Sequence, residues 1–174
     1  MSLDSKAKTI EFLNGKTKLS NVLPLIRFSV QDFKKESNFY ITKIQDHFKD
    51  DLLIVRSSSL NEDTEYSSNA GHFESVLNVK TNDKRALRSS INKVIYSFDE
   101  NPLNEVFIQP MLKDMTKCGV GFTADIDTLA PYYVINFDDS GSPDVITSGK
   151  NGNIRTYVHL KGSNYKLKSP IIQK

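Results

Sequence analysis

The stretch Ile54-Val55-Arg56-Ser57-Ser58-Ser59-Leu60-Asn61-Glu62-Asp63 puts an arginine at the end of a β-rich apolar run and a row of hydroxyls directly after it. It continues through Ser67-Ser68-Asn69-Ala70-Gly71-His72-Phe73-Glu74-Ser75-Val76-Leu77-Asn78-Val79. Arginine is suited to phosphate because its planar fork makes two parallel, charge-assisted bonds and does not lose its charge. Gly71 would let a backbone approach a ligand closely or adopt a positive φ. On composition alone the plainer reading is a solvated surface loop carrying an Arg–Glu pair.

Elements that could position such a loop are legible on both sides. Val22 to Val30 reads as a strand entered through Pro24. Gln31 to Phe48 follows with apolar residues at Phe33, Phe39, Ile41, Ile44 and Phe48, a spacing for a helix or a broken pair of helices. Asp51 to Arg56 predicts a strand, Ser57 to Asn69 a polar surface loop, and Phe73 to Val79 a return to a strand-like or partly helical apolar pattern. Asp83 to Phe98 is the clearest amphipathic helix, with Leu87, Ile91, Val94, Ile95 and Phe98 on one side. Val106 to Leu112, Gly119 to Thr123, Tyr132 to Phe137, Asp144 to Thr147 and Ile154 to Val158 read as strands, with turn chemistry at Asp138-Asp139-Ser140-Gly141. Helices mixed with runs of consecutive strands predict an α+β fold with mainly antiparallel sheets and flanking helices.

Composition sets the outer limits. The 174 residues are 38% hydrophobic and 25% charged, with ten Phe and seven Tyr, as expected of a globular chain able to bury a core. Twenty-three basic against 21 acidic residues leave a net charge of +2, and the basic residues are scattered among acids. That pattern gives no reason to expect a nucleic-acid partner. No apolar run is long enough to expect a membrane partner, and the start lacks the apolar core of a signal peptide, so a cytoplasmic location is the expectation. Cys118 is the one cysteine, which excludes an internal disulfide and a Cys-cluster metal site.

The order of residues in the Arg56 segment closely resembles the signature of the phosphoenolpyruvate synthase and pyruvate phosphate dikinase family. That family's ATP-grasp domain carries Val-Arg-Ser-Ser, then Glu-Asp, then Ser-x-Ala-Gly and a Leu-Asn-Val ending. Val106-Phe107-Ile108-Gln109-Pro110-Met111 resembles the family's Val-Gln-x-Met strand, and Gly119-Val120-Gly121-Phe122-Thr123 its Gly-Val-x-Phe-Thr strand. Thr147-Ser148-Gly149 is similar to the Val-Ser-Gly that follows. The resemblance runs from about Leu13 to Gly149 and implies a partial ATP-grasp nucleotide-binding domain over residues 9–160; by their own residues 1–8 read as an unstructured start, and 161–174, polar and without periodicity, as a tail at a point of truncation.

By the same resemblance Arg56 would hold ATP phosphates, Gly71 and Ser75 would line the nucleotide, and Gln109 would meet the base or its neighbourhood. Lys16 stands where the family has a Gly-Gly-Lys phosphate lysine, although Asn14 replaces the first glycine and Thr17 and Lys18 follow. An exposed turn lysine is the competing reading. Asn14-Gly15-Lys16-Thr17 is not a P-loop, since Ile10 occupies the position that motif requires to be glycine.

The implied activity is ATP-dependent phosphorylation of a carrier histidine on a separate domain. Mg2+ would be held by acids beyond this chain, and the partners would be ATP and the remaining domains of the same protein. His47, His72 and His159 lack the carrier's sequence context. The altered lysine motif keeps open a non-catalytic nucleotide-binding or regulatory module with a degenerate ATP-grasp site. Glu62 and Asp63 would orient the Arg56 loop or form Asx turns; Asp125, Asp127, Asp138 and Asp139 read as turn formers. Cys118 reads as an inert thiol.

Overall fold

A computed structural model describes residues 5–49, 51–59, 63–64, 67–68, 74–98, 101–139 and 154–164. The chain forms two compact units, Met1–Met111 and Leu112–Lys174.

The first unit is built on a four-stranded sheet. Its elements run α1 (Lys6–Leu13), β1 (Ile26–Ser29), α2 (Val30–Phe48), β2 (Leu52–Ser58), β3 (Asp63–Thr64), β4 (Ser67–Ser68), β5 (Ser75–Lys80), α3 (Lys84–Tyr96) and β6 (Glu105–Pro110). The strand order is β1-β6-β2-β5 and every neighbouring pair is antiparallel. Helix α2 links β1 to β2 and α3 links β5 to β6, so the two strands of each crossover flank a strand of the other. β3 and β4 form a separate small hairpin.

Alternation along each strand divides the sheet into two faces. Ile26, Phe28, Leu53, Val55, Val79, Val106 and Ile108 form one core with Val30, Phe33, Ile41, Ile44 and Phe48 of α2 and Leu87, Ile91, Val94 and Ile95 of α3. The predicted stripe of α3 is therefore the buried one, with Phe98 packed partly against it. Asp83 caps this helix, its carboxylate accepting from the Arg85 and Ala86 amides at 3.0 and 2.9 Å.

Helix α2 is broken at Glu36, where φ is −131° and ψ 42°, the second of the two arrangements that the apolar spacing allowed. Arg88 of α3 bonds the Ser37 hydroxyl and the Asn38 side-chain oxygen just past this kink. Phe39, expected with the apolar set, is 56% exposed. It lies two residues before Ile41, about 200° around the helix from the buried stripe.

Two further expectations are corrected here. Ser57 and Ser58 are not a surface loop but the buried end of β2, and Ser59 is buried just beyond it. Residues 6–8, placed by the sequence in an unstructured start, belong to α1, which Ser5 caps by accepting from the Lys8 amide at 3.3 Å.

A bulge interrupts the β2–β5 ladder. Leu53 pairs with Val79 but Val55 pairs with Val76, so Leu77 and Asn78 together face one residue of β2. Asn78 has a φ of +56°, a left-handed conformation that asparagine tolerates better than most residues. The extra residue lets Val79 and Val76 both pack on the core side, although an odd spacing separates them.

The second unit holds a three-stranded antiparallel sheet, β7 (Cys118–Phe122), β8 (Tyr132–Asp138) and β9 (Arg155–Leu160), in that order. All three strands were legible in the sequence; the one expected at Asp144 to Thr147 lies outside the described residues. At Gly119 a Cβ would come 2.8 Å from the Asn136 carbonyl oxygen, so only glycine fits this close approach. Phe137 and Tyr157 stack on one another at 5.5 Å. Cys118 is half-buried, and burial, with Asp138 nearby, pushes its thiol pKa up, away from a reactive thiolate.

Asp125 is the turn former the sequence predicted. Its carboxylate accepts from the Thr128 hydroxyl at 2.6 Å, the Thr128 amide at 2.9 Å and the Asp127 amide at 3.2 Å. The Thr128 bonds hold its pKa below the ordinary carboxylate value. A depressed folded-state pKa contributes stability above the unfolded pKa, which is lost as pH falls through the folded one. An NMR titration should find Asp125 still charged where ordinary aspartates have protonated, and Thr128→Ala should move its midpoint up.

Candidate functional site

The face of the first sheet turned away from α2 and α3 carries the polar and charged residues. Arg27 of β1 pairs in register with Phe107 of β6, Phe107 with Arg56 of β2, and Arg56 with Ser75 of β5. A single row thus crosses all four strands as Arg27, Phe107, Arg56, Ser75. With directly paired Cα atoms about 4.5–5.5 Å apart, the two arginine backbones stand roughly 10 Å from each other across the phenylalanine.

Phe107 is fully buried, yet it is not part of the core beneath the helices. The Arg56 guanidinium carbon lies 5.3 Å from its ring centroid, a cation–π contact that keeps the fork over the sheet. Ser75 is exposed beside it. Fold and register together therefore bring two of the sequence-predicted residues, Arg56 and Ser75, side by side on one face. The bulge is what aligns them, because it brings β5 back into step with β2 just before Ser75.

Gln109 shares this face, two residues along β6 from Phe107. It is buried, and its amide donates to the Leu23 carbonyl at 3.3 Å, fixing the chain that leads into β1. Lys16 sits in the turn after α1, where Gly15 has a φ of +74° and the Lys16 amide donates to the Leu13 carbonyl at 3.0 Å. The Lys16 ammonium lies over the Phe12 ring, 3.2 Å from its centroid. Gly71, Glu62, His72 and the Thr147-Ser148-Gly149 segment fall outside the described residues. His47 stands edge-on to Phe48 in the last turn of α2, and His159 is in β9.

The hydroxyl row after Arg56 has structural partners. The Ala7 amide of α1 donates to the Ser58 hydroxyl oxygen at 2.9 Å, and the Ser59 hydroxyl bonds the Asn104 side-chain oxygen at 3.1 Å. Ser58 thereby satisfies one of the unpaired N–H groups at the start of α1.

Sequence reasoning missed Arg27 and Glu105, the strongest charge pair on this face. Arg27 Nη1 bonds Glu105 Oε1 at 2.8 Å and its Nε bonds Glu11 Oε2 at 2.7 Å. The other oxygen of Glu105 accepts from the Ser5 hydroxyl. Burial works against the Arg27 charge, but the Glu11 hydrogen bond and the charges of Glu105 and Glu11 offset it, and its pKa is raised. A signal did exist: each charge stands within an apolar strand run, where a charge is rarely buried without an opposite partner.

Among the described residues no three His, Cys, Asp or Glu side chains are grouped to hold a metal ion. Glu105, the carboxylate built into this face, is already engaged by Arg27 and Ser5. The described residues therefore do not fit a magnesium site. No helix among the described residues is long and apolar enough to cross a membrane.

A family model described as the pyruvate phosphate dikinase AMP/ATP-binding domain matches residues 28–140. The match takes in Arg56, Ser75 and Gln109 and begins after Lys16. No curated protein matches the chain.

Proposed function

Because the chain belongs to the family of the pyruvate phosphate dikinase AMP/ATP-binding domain, we propose that the Arg56 row is where it takes up the phosphates of ATP. The chain would then serve as the nucleotide-binding part of a phosphoenolpyruvate-synthase-like phosphotransferase. The observation that carries this reading is the register that sets Arg56 beside Ser75 on a face that α2 and α3 leave uncovered. Arg56 supplies a fixed cation with a bidentate edge, and Ser75 a neighbouring hydroxyl, so the pair can orient an anionic group without moving a proton.

Phosphoryl transfer depends mostly on such positioning and charge neutralisation. The acceptor would be a carrier histidine on another domain of the same protein, with ATP and those domains as the partners of this chain. Magnesium, in this reading, is held by the nucleotide and by acids other than those described here.

A thermal-unfolding titration with MgATP, MgAMP and inorganic phosphate tests the proposal. At a hundred times its dissociation constant a ligand stabilises the native state by about 2.7 kcal/mol, which at this size is a rise of roughly 5–10 °C. MgATP should produce that rise and phosphate alone much less. No rise at any soluble MgATP concentration would sink the reading.

The second reading, a module that binds nucleotide without turnover, is favoured by one observation. Lys16, the residue expected on the phosphates, stands over Phe12. If Lys16→Ala leaves MgATP affinity unchanged while Arg56→Ala weakens it, this second reading gains.

A further inference from the structure

Helix α1 buries only one apolar side chain, Ala7, and yet it is fastened to the Arg56 face of the sheet along its length. At its start the Ser5 hydroxyl donates to Glu105, and the Ala7 amide donates to Ser58 at 2.9 Å. In its last turns Glu11 takes the Nε of Arg27 at 2.7 Å. Arg27 is the centre of this arrangement, since it also holds Glu105 at 2.8 Å. One arginine thus ties an exposed acid on the helix to a buried acid on β6. The Asn14 amide then donates to the Glu11 carbonyl at 3.2 Å and the Lys16 amide to the Leu13 carbonyl at 3.0 Å, so the Lys16 turn is continuous with the helix end.

We infer that Arg27, between Glu11 and Glu105, is a positioning residue that clasps α1 to the sheet and sets the Lys16 turn for the nucleotide. The inference rests on the nucleotide reading above. Arg27 touches no nucleotide in it; both of its carboxylate partners are spoken for. Its effect passes through the helix to Lys16, whose ammonium leaves the Phe12 ring when phosphates are present. The buried half of the clasp, Glu105 with Ser5 and Ser58, fixes where the helix starts. The exposed half, Glu11, fixes how its far end lies.

Glu11 is the place to test this, because it is largely exposed and its removal leaves the core intact. Calorimetric titration of the 174-residue chain with MgATP would compare Glu11→Ala, Lys16→Ala, their double variant, Glu105→Gln and Arg56→Ala. Glu11→Ala should raise the dissociation constant by about fivefold, the most an exposed ion pair supports, with little change in melting temperature. Glu105→Gln, which keeps the shape but not the charge, should weaken binding in the same direction. In the Lys16→Ala background Glu11→Ala should add nothing, whereas a role unrelated to Lys16 would add its full effect. Equal effects in both backgrounds, or none in either while Arg56→Ala weakens binding, overturn the clasp. If Arg56→Ala itself leaves binding unchanged, the nucleotide reading falls and the clasp falls with it.

Discussion

Arg56→Ala should weaken MgATP binding by about 10- to 100-fold. Hydrogen bonds to a charged group contribute about 1.5–3 kcal/mol each, and a factor of ten in affinity corresponds to about 1.4 kcal/mol. Removing a two-pronged hydrogen bond would exceed a hundredfold in a dry site. Arg56 is half-buried, so water takes over part of the role and the lower range is expected. The cation–π contact with the Phe107 ring that the truncation removes is worth about 0.5–1 kcal/mol at such a site. Arg56→Lys should fall between the two, since it restores charge without the planar fork. Calorimetric titration of the three proteins checks this, and equal affinities would remove Arg56 from the site.

The largest stability effect is expected at Ile108. It lies on β6, an inner strand, and pairs in register with Ile26 on one side and Val55 on the other. All three side chains are in the core beneath α2 and α3, and Ile108 is fully buried there. Ile108→Ala leaves a cavity that β1 and β2 cannot both close without giving up ladder bonds. Such truncations cost about 2–5 kcal/mol of a total that is usually about 5–15 kcal/mol. A fall in melting temperature of roughly 10 °C follows, together with a lower denaturant midpoint at nearly unchanged slope. A fall of only about 2 °C would mean that this part of the core yields easily and is not the centre of the unit.

Much of this architecture could be read from the residues, and the failures share a physical cause. Helix α3 was legible because Leu87, Ile91, Val94 and Ile95 mark one face at helical spacing, whereas for α2 the spacing left one helix and a broken pair both open. The α+β class with antiparallel pairing followed from consecutive strand-like runs. Helix α1 escaped notice because Ala7 is its one buried residue, which leaves no apolar stripe to detect. Ser57, Ser58 and Ser59 were read as loop for the complementary reason: they are buried, two of them through hydrogen-bond partners far along the chain. Arg27 and Glu105 are 78 residues apart, and no local pattern joins them. The motif around Arg56 was legible, but its alignment with Ser75 depends on the β2–β5 register, which a sequence alone does not reveal.

That alignment is a matter of parity. Ser75 and Val79 are four residues apart, a spacing that a regular strand presents on one face, and the bulge at Leu77 and Asn78 absorbs the extra residue so that the two face opposite sides. Were the strand to run straight at its present length, a choice would be forced. Either Val79 stays under the helices and Ser75 turns inward, or Ser75 keeps its place beside Arg56 and Val79 turns out to water. Deleting Asn78 would not force it, because the remaining spacing of three already sets the two on opposite faces of a regular strand. The irregularity is thus what reconciles this strand's length with both of its faces: the core holds one end, the Arg56 row the other, and the bulge takes up the difference between them.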